Sequence, residues 1–361
     1  MSKTLSQLAK LLSASNEQLY DRYVNVKLTS KRPYMGMSYA RSDFSIVTPD
    51  TGIKPNITVS GQWIPENTIN NVTVTIYNMN ANIDTMAYNW AEVELGYKNS
   101  GISVKFIGQI TNCYMAKPNP NGELVITVTC ANVSDLYAVG AFEVPFTSNF
   151  SSLAGIIFSC VTAITDKYPK LKQDMNVASL ITDIPPEWSS LEFLVGRATR
   201  HFRSPLACIA WINSLIASCT NDTGYDIGAG MAEGPSQQGL PPLRLGFDRL
   251  GSLVLTGTYS KVCPSALKAI SAIGSAVLTS TKSATITAPF NPDIMPGDVV
   301  YIDTKYFKTR INIEGTVRED YQSMGNLWWV VTIQFTFSTL TANNSTIQLN
   351  NIGNKISAQE G

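Results

Sequence analysis

A single histidine, His201, limits the catalytic chemistry open to this 361-residue chain. It lies in the segment Arg197-Ala-Thr-Arg200-His201-Phe-Arg203, among three arginines. Nearby cations lower the proton affinity of an imidazole, whereas a general base needs a carboxylate beside it. Zinc sites built from several histidines are excluded, and no G-x-S-x-G elbow supplies a serine nucleophile. We interpret the segment as a solvated basic helix end, with contact to phosphate or to an acidic partner as the alternative.

Acidic and aromatic residues are the next candidates for chemistry. Glu92 and Glu94 are two positions apart, which places both carboxylates on one face of a strand. A glycosidase with paired carboxylates is conceivable there, but two solvated acids on a strand edge are the simpler interpretation. Tryptophans can form a platform for sugars, although packing in a core is their commoner role. The tryptophans considered are Trp63, Trp90, Trp188, Trp328 and Trp329.

No motif indicates a cofactor or a metal. A Walker A loop is missing from the sequence, and the short glycine pair Gly228-Ala-Gly230 lies in a glycine-rich stretch instead of after a strand. No C-x-x-C pair occurs, the cysteine spacings fit no zinc module, and their apolar contexts are typical of small buried side chains in a reducing compartment. The cysteines are Cys113, Cys130, Cys160, Cys208, Cys219 and Cys263. We therefore predict no catalytic, cofactor-binding or metal-binding residue and no enzymatic activity.

The composition favours a structural subunit. Only 15% of the residues are charged and the net charge is +0, whereas an average soluble domain is roughly one quarter charged. A chain of this size with so few charges is expected to bury part of its surface in an assembly. The balanced charge argues against an extended nucleic-acid-binding face as the main function. No stretch approaches the ~20 apolar residues of a membrane-spanning helix, so we expect no stable membrane insertion.

The elements follow from the spacing of apolar residues. Apolar and β-branched residues alternate in Val72–Tyr77 and Leu124–Cys130, and turn signals such as Lys98-Asn-Ser-Gly101 separate the strands. This pattern predicts an antiparallel barrel or sandwich. In the middle, helical spacing predicts a helix from Leu153 that stops at Pro169, and Ser204-Pro205 predicts the start of a second, mostly buried helix.

Two further expectations concern the middle and the last third of the chain. A capping-box match at Ser189-Ser-Leu-Glu192 predicts a helix with Leu191, Leu194, Val195, Ala198 and Phe202 on one face. A type II turn is predicted at Met295-Pro-Gly-Asp298. Strands at 311–320 and 327–337 are predicted to form a hairpin. In the second of them Trp329, Val331, Ile333, Phe335 and Phe337 share one face.

The fold class is therefore mainly β with an α-rich middle segment (α+β). Six segments are expected: an N-terminal docking helix or arm (1–19), a first β domain (20–145), a helical domain (146–227), a flexible linker (228–242), a second β domain (243–340) and a polar C-terminal arm (341–361). The leucines of the first segment recur at helical spacing, unlike the continuous apolar run of a signal peptide.

The order of three features resembles a known family. They are the strands Val72–Asn78, Val93–Tyr97 and Phe106–Ile110, the helical middle with Trp188–Leu194, and the turn Met295–Asp298 followed by a hairpin that ends in Trp-Val-Val-Thr-Ile333. In this order they are similar to the baseplate hub proteins of tailed bacteriophages and the related hubs of contractile injection systems. The resemblance covers most of residues 20–340.

The resemblance implies a fold and an assembly. Hubs of this family are typically homotrimers with two tail-tube-like antiparallel β-barrel or sandwich domains per subunit, here flanking the helical domain. Three copies imitate the six-fold ring of the tail tube and present three-fold symmetry to the central spike. The implied partners are further copies of the chain, the tail tube protein, the central spike protein, other baseplate proteins and the tape-measure protein, with DNA only in transit. The implied location is the tail tip of the virion, after synthesis in the cytoplasm of the bacterial host.

Three alternatives remain open from the sequence. A tail-tube or distal-tail ring protein would form a six-fold assembly instead of a trimer. A cell-wall-degrading glycosidase would depend on acidic residues in a cleft. A carbohydrate-binding β-module would expose tryptophans whose fluorescence sugars quench.

Overall fold

The chain divides into two compact units. The computed structural model describes residues 21–30, 44–49, 55–64, 70–78, 87–99, 101–116, 124–132, 140–173, 175–219, 243–257, 268–270, 274–279, 283–302, 311–313, 316–318, 327–341 and 343–351. The first unit comprises Met1–Ile64, Asn70–Asn132 and Cys263–Gly361, and the second comprises Pro65–Ile69 and Val133–Val262. The predicted N-terminal helix and the predicted linker at 228–242 lie outside the described residues.

Most of the described elements are strands. They are β1 (Arg22–Thr29), β2 (Phe44–Ile46), β3 (Ile57–Trp63), β4 (Asn71–Tyr77), β5 (Trp90–Tyr97), β6 (Ile102–Ala116), β7 (Val125–Ala131), β8 (Phe142–Pro145), β9 (Phe150–Ser152), β10 (Glu192–Leu194), β11 (Thr199–Phe202), β12 (Leu243–Phe247), β13 (Leu253–Gly257), β14 (Lys268–Ala269), β15 (Ser275–Leu278), β16 (Ser283–Ala288), β17 (Val299–Tyr301), β18 (Ile311–Ile313), β19 (Thr316–Arg318), β20 (Leu327–Ser338) and β21 (Asn343–Asn351). The mainly-β prediction is confirmed.

A 13-stranded sheet dominates the first unit. Its strands follow the order β15-β16-β21-β20-β3-β4-β7-β6-β5-β1-β2, and β14 and β17 branch off at β20. All neighbours along this order pair antiparallel, whereas β14 and β17 pair parallel. No pairing among the described strands joins β15 to β2, so the sheet is open and the expected closed barrel is not formed by these residues.

Alternation of side chains gives the sheet one apolar face. Val72, Val74 and Ile76 of β4 are buried, and the threonines between them are half-buried. The same alternation in the neighbouring strands builds one core, which includes Trp63 and Phe335. Because successive side chains of a strand point to opposite faces, the remaining positions form a second, polar face.

Strands from both predicted β domains belong to this one sheet. β3 pairs with β20 from Thr58↔Ser338 to Trp63↔Ile333. The Thr339 hydroxyl donates to the Pro55 carbonyl at 2.7 Å and accepts from the Ile57 amide at 3.1 Å, which fixes the end of this pairing. The two tube-like domains stay a prediction, and any boundary between them runs through a continuous ladder.

A β-bulge alters the predicted faces of β20. The register to β21 shifts between Val330 and Thr332, so one extra residue is inserted at Val331. Trp328 and Val330 before the bulge and Ile333, Phe335 and Phe337 after it therefore all join the core. The prediction that Trp329 and Val331 share a face with Ile333 is wrong, because it assumed unbroken alternation.

The structure of residues 343–351 also differs from the prediction. Asn343–Asn351, predicted as part of a polar arm, forms β21 between β16 and β20. The arm prediction fails for these residues because Asn344, Thr346, Gln348 and Asn350 occupy the polar face while Ile347 and Leu349 enter the core. The predicted hairpin partner of β20 at 311–320 instead contains β18 and β19, which pair with each other. The Met295–Asp298 turn is confirmed: Gly297 has φ of 93° and the Asp298 amide donates to the Met295 carbonyl.

Helices occur in the second unit. They are α1 (Leu153–Lys167), α2 (Val177–Thr182), α3 (Pro186–Ser189) and α4 (Pro205–Ser218), with a short 3₁₀ helix at Pro169–Gln173. Ser152 and Ser204 cap α1 and α4 by accepting from the Gly155 and Ala207 amides. Both of these predicted helices are confirmed. They pack with β12 and β13 around a second core that includes Trp188.

The helix predicted after Ser189 is wrong. α3 ends there, and Glu192–Leu194 and Thr199–Phe202 form β10 and β11, which pair with β9 and β8. Asn149 joins the two pairs, because its carbonyl accepts from the Val195 and Gly196 amides and its side chain from the Arg197 amide. Gly196 at φ of 76° breaks any helix through this segment. Burial also alternates in β10, which is the period of a strand.

Candidate functional site: an uncharged sheet face

The polar face of the large sheet is the most unusual surface in the described residues. Seven neighbouring strands, β15, β16, β21, β20, β3, β4 and β7, contain no Asp, Glu, Lys or Arg. Most of their side chains on the face away from the core are hydroxyls and amides, with a few apolar ones such as Val125, Val277 and Trp329. The hydroxyls and amides include Thr58, Ser60, Gln62, Asn71, Thr73, Thr75, Thr127, Thr129, Thr285, Thr287, Thr332, Gln334, Thr336, Thr346 and Gln348.

These side chains bond to one another across strands. The Thr73 and Thr129 hydroxyls are 3.3 Å apart on β4 and β7, and the Thr332 hydroxyl donates to Gln348 Oε1 at 3.0 Å on β20 and β21. Pairs of this kind each contribute a few tenths of a kcal/mol to about 1 kcal/mol. The face is therefore an ordered array of neutral donors and acceptors.

The chemistry of this face is restricted to neutral contacts. Without a cation it has no group that neutralises phosphate, and without a carboxylate or imidazole it has no general acid or base. Hydroxyls and amides do hold a layer of water. The face therefore suits contact with water or with another uncharged surface, and it does not suit catalysis.

Along the main strand order charges occur only in β6, β5 and β1, while β14, which branches off through β17, adds Lys268. Lys105 Nζ is 2.9 Å and Lys27 Nζ is 3.7 Å from the same oxygen, Oε1 of Glu92, and the Glu92 side chain is 5% exposed. The Tyr23 hydroxyl donates to Glu94 Oε1 at 3.1 Å. Burial raises the pKa of Tyr23, and the charge of Glu94 adds to the shift.

The interpretation of Glu92 and Glu94 as two solvated acids on an edge is wrong. β5 lies between β1 and β6, and Glu92 is buried under two lysines because those strands bring Lys27 and Lys105 beside it. A carboxylate paired with two lysines and withdrawn from solvent in this way is poorly placed to reach a sugar substrate.

The basic cluster around His201 is divided between two faces of β11. Arg200 lies with its guanidinium 4.5 Å from the Trp211 ring centroid and donates to the Val195 carbonyl. His201 is on the opposite face, with Nδ1 3.1 Å from Glu143 Oε1, and both side chains are mostly exposed. The segment is a strand, so the predicted helix end is wrong. The described geometry brings a carboxylate to His201, which the sequence neighbours did not reveal.

The tryptophans and cysteines mostly occupy the cores. Trp63, Trp188, Trp328 and Trp329 are buried, and Trp90 is half-buried. Cys130, Cys160, Cys208 and Cys219 are buried and free, Cys113 is half-buried and free, and Cys263 lies outside the described residues. Burial raises the pKa of Cys130 to about 12. The core interpretation is confirmed for the four buried tryptophans, which leaves little for a sugar platform.

The described residues contain neither a metal-ligating cluster nor a membrane-spanning helix. No cluster of three or more His, Cys, Asp or Glu side chains is placed to hold a metal ion there. No described helix combines the length and the apolar character needed to cross a bilayer.

Comparison with known proteins gives matches among solved structures alone. No protein-family model matches the sequence, and no curated protein matches it. One matching structure is an E. coli component of the type VI secretion system, described as similar to bacteriophage T4 tail proteins, with 10% identity, a TM-score of 0.45, and coverage of 82% of this chain and 74% of that chain.

Two further structures match this chain over nearly the whole of their own length. A tail protein from Neisseria meningitidis has 11% identity, a TM-score of 0.48, and coverage of 92% of this chain and 96% of that chain. A 43 kDa tail protein of a Shewanella oneidensis prophage has 9% identity, a TM-score of 0.44, and coverage of 91% and 98%. These are classes of protein that the sequence resemblance named. The function is inferred below from the residues of this chain.

The uncharged face is a candidate site that the sequence patterns did not predict. The signal was present, because the seven strands lack Asp, Glu, Lys and Arg even though the chain is 15% charged. Alternating threonines were used only to predict strands. Their meaning as one surface depends on which strands are neighbours, which the sequence alone does not give.

Proposed function

We propose that this chain is the structural baseplate hub of a phage tail. In this proposal several copies, most simply three, form a ring that joins the tail tube to the central spike. The uncharged face of the sheet lines the lumen through which the tape-measure protein and then DNA pass. The chain acts without catalysis, at the tail tip of the virion.

The uncharged face carries the proposal. A sheet face of seven strands that meets bulk solvent is expected to hold charges, because Lys and Glu keep such a surface soluble and prevent edge-to-edge association. A lumen that passes DNA has the opposite requirement. Cations would retain the phosphates and anions would repel them, whereas hydroxyls and amides with bound water allow passage.

The size of the sheet supports a hub over a tube protein. The resemblance implies two tube-like β domains in each hub subunit, and the 13-stranded sheet draws strands from both β blocks of the chain. Three copies would then supply as many strands as six copies of a protein with one such domain. A tail-tube or distal-tail ring protein is the alternative, and it requires six-fold symmetry.

Electron microscopy of the purified full-length chain tests the proposal. We expect ring-shaped particles with three-fold symmetry and a central opening. Gln334→Lys and Thr336→Lys, on the uncharged face, should leave the ring intact and make it retain short duplex DNA. Asp166→Lys is the matched control, because Asp166 is exposed on α1 in the second unit. This variant should not make the ring retain DNA.

Other outcomes contradict parts of the proposal. Rings with six-fold symmetry would replace the hub by the tube or distal-tail alternative. Rings in which lysines at 334 and 336 do not change DNA retention would show that this face is not the lumen. Release of sugars from peptidoglycan by the purified chain would favour the glycosidase.

A further inference from the structure

One strand of the large sheet has an edge to which no described strand pairs. β6 pairs with β5 from Ile102 to Gln109, and the Ile110 amide donates to the Asn89 carbonyl. A bulge between Ile110 and Asn112 follows, and β6 then continues to Ala116 with β7 on one side only. Residues 111–116 therefore present a six-residue free edge within the described part of the sheet.

Apart from the bulge at its start, this edge lacks the features that normally protect an edge strand. Natural edges carry charges, prolines or bulges, or are very short. Beyond its bulge the β6 edge reads Thr-Asn-Cys-Tyr-Met-Ala, without a charge or a proline. Tyr114 and Met115 are 48% and 44% exposed, on opposite faces of the strand. An edge of this kind is expected to be covered in the working assembly.

The opposite end of the sheet has a second edge of the same kind. Among the described strands β15 pairs with β16 alone, and its sequence is Ser-Ala-Val-Leu. Val277 is 54% exposed and lies opposite Thr285, on the uncharged face. Ala276 and Leu278 pack against the core on the other face.

The two edges match each other in the placement of their side chains, although β15 has four residues and the β6 edge has six. Tyr114 lies opposite Thr127, so it shares the uncharged face with Val277. Cys113 and Met115 lie on the core side, like Ala276 and Leu278. Pairing of the edges with faces aligned would place an aromatic ring beside a β-branched side chain on one face and apolar side chains together on the other, which are favourable cross-strand pairs.

We propose that β15 of one copy of this chain adds to the 111–116 edge of β6 in the next copy. A second copy is the occupant because a single contact then covers both unprotected edges. The contact is head-to-tail, since different surfaces of the two copies meet, and such contacts generate closed rings when the rotation permits. The inference deepens the proposed hub assembly and rests on it, naming the contact between its subunits.

Light scattering on the purified full-length chain, over a wide range of concentrations, tests the contact. We expect the wild-type mass to be that of the ring and the masses of Tyr114→Lys and Val277→Glu each to fall to that of one chain. The double variant Tyr114→Lys with Val277→Glu should recover the ring mass, because the lysine of one copy then faces the glutamate of the next. Gln348→Lys, on the same face within the sheet, is the matched control and should keep the ring.

The results separate this inference from the proposed function. Circular dichroism must be unchanged in each variant, which is expected because Tyr114 and Val277 are exposed. A wild-type ring that persists in both single variants, or a double variant that stays a single chain, overturns the strand contact and leaves the hub in place. A wild type that remains a single chain at every concentration overturns the contact and removes the trimer from the proposal.

Discussion

At the scale of single residues, the buried hydroxyl of Tyr97 connects distant parts of the first unit. It donates to the Phe290 carbonyl at 2.6 Å and accepts from Asn343 Nδ2 at 2.8 Å. Phe290 follows β16 and Asn343 begins β21, so one hydroxyl on β5 binds both. The ring also lies 5.6 Å from the Phe337 ring in an edge-to-face arrangement. Tyr97 therefore joins the β2 end of the strand order to the β15 end through the core.

Tyr97→Phe should destabilise the protein without changing its shape. The substitution leaves a buried carbonyl and a buried amide without this partner, which costs about 1–3 kcal/mol. Urea unfolding followed by circular dichroism measures the loss. Tyr114→Phe, whose hydroxyl is on an exposed side chain, is the control and should unfold at the wild-type midpoint. Equal midpoints for Tyr97→Phe and wild type would contradict the role of the hydroxyl.

The same residue predicts a response to high pH. Burial raises the pKa of Tyr97 to about 12, above the ordinary value of about 10 in the unfolded chain. The neutral phenol is therefore favoured in the folded state, and its contribution is complete below pH 10 and is lost as pH rises towards 12. Unfolding free energies measured across that window should fall more steeply for the wild type than for Tyr97→Phe. Parallel curves would contradict the raised pKa.

At the scale of elements, the β3–β20 ladder depends on close approach of an aromatic ring to a glycine. A Cβ on Gly61 would lie 2.8 Å from the Phe335 ring and 3.0 Å from the Asn71 carbonyl oxygen. Phe335 is fixed in turn, because its ring lies 4.7 Å from Trp63 and 4.6 Å from Phe290 between centroids. The ring covers the glycine and fills the space that a side chain would occupy.

Gly61→Ala should therefore destabilise the first unit. The ring has no room to move, and overpacking of this kind costs about 1–3 kcal/mol. Thermal unfolding measures the effect, and Ser60→Ala, on the uncharged face of the same strand, is the control with little expected change. An unchanged melting temperature in Gly61→Ala would show that the Phe335 ring yields easily.

An amide side chain closes a strand edge in the second unit. Asn213 of α4 donates from Nδ2 to the Leu245 carbonyl and accepts from the Leu245 amide at Oδ1, both at 2.8 Å. It replaces a neighbouring strand for β12. Asn213→Asp keeps the acceptor but places a carboxylate against the Leu245 carbonyl, so we expect a loss of about 1–3 kcal/mol in urea unfolding near neutral pH. Asn213→Ser, which can still form one bond, should lose less, and the reverse order would contradict this edge contact.

The elements show which patterns in the sequence predict structure. β4, β7, α1 and α4 are found where apolar spacing and capping serines predict them, because local alternation and local caps determine them. The prediction of a helix after Ser189 failed because Glu192–Leu194 pairs with Phe150–Ser152, which is distant in sequence. The prediction of a polar arm at the residues of β21 failed for a similar reason. Asn344, Thr346, Gln348 and Asn350 lie on the uncharged face, so a polar composition was mistaken for a solvated arm.

The site was harder to predict than the strands. Each threonine of the uncharged face could be placed on a strand from local alternation. The residues beside it on neighbouring strands could not be predicted in this way. Gln334 of β20, for example, lies opposite Gln62 of β3 through a pairing of residues far apart in sequence. Glu92 illustrates the same limit, because the two lysines that bury it come from different strands.

At the scale of the whole molecule, the proposed contacts between copies involve no charges. Salt screens ionic contacts and strengthens the burial of apolar surface slightly. The mass of the assembly, measured by light scattering, should therefore stay constant or increase as NaCl is raised. Dissociation at high salt would indicate an ionic interface, such as one made by Arg197 and Arg203, in place of the strand edges.

The pairing of β3 with β20 has a consequence for synthesis of the protein. The Ile57 amide and the Thr339 hydroxyl that end this ladder are 282 residues apart. At ordinary rates of translation of about 5–20 residues per second, β3 waits roughly 15–55 s for its partner. During that interval the second unit, whose described elements all lie between residues 140 and 257, is complete and free to fold. The nascent chain therefore carries β3 with one edge unpaired for tens of seconds, and the large sheet is completed only after the second unit has been synthesised.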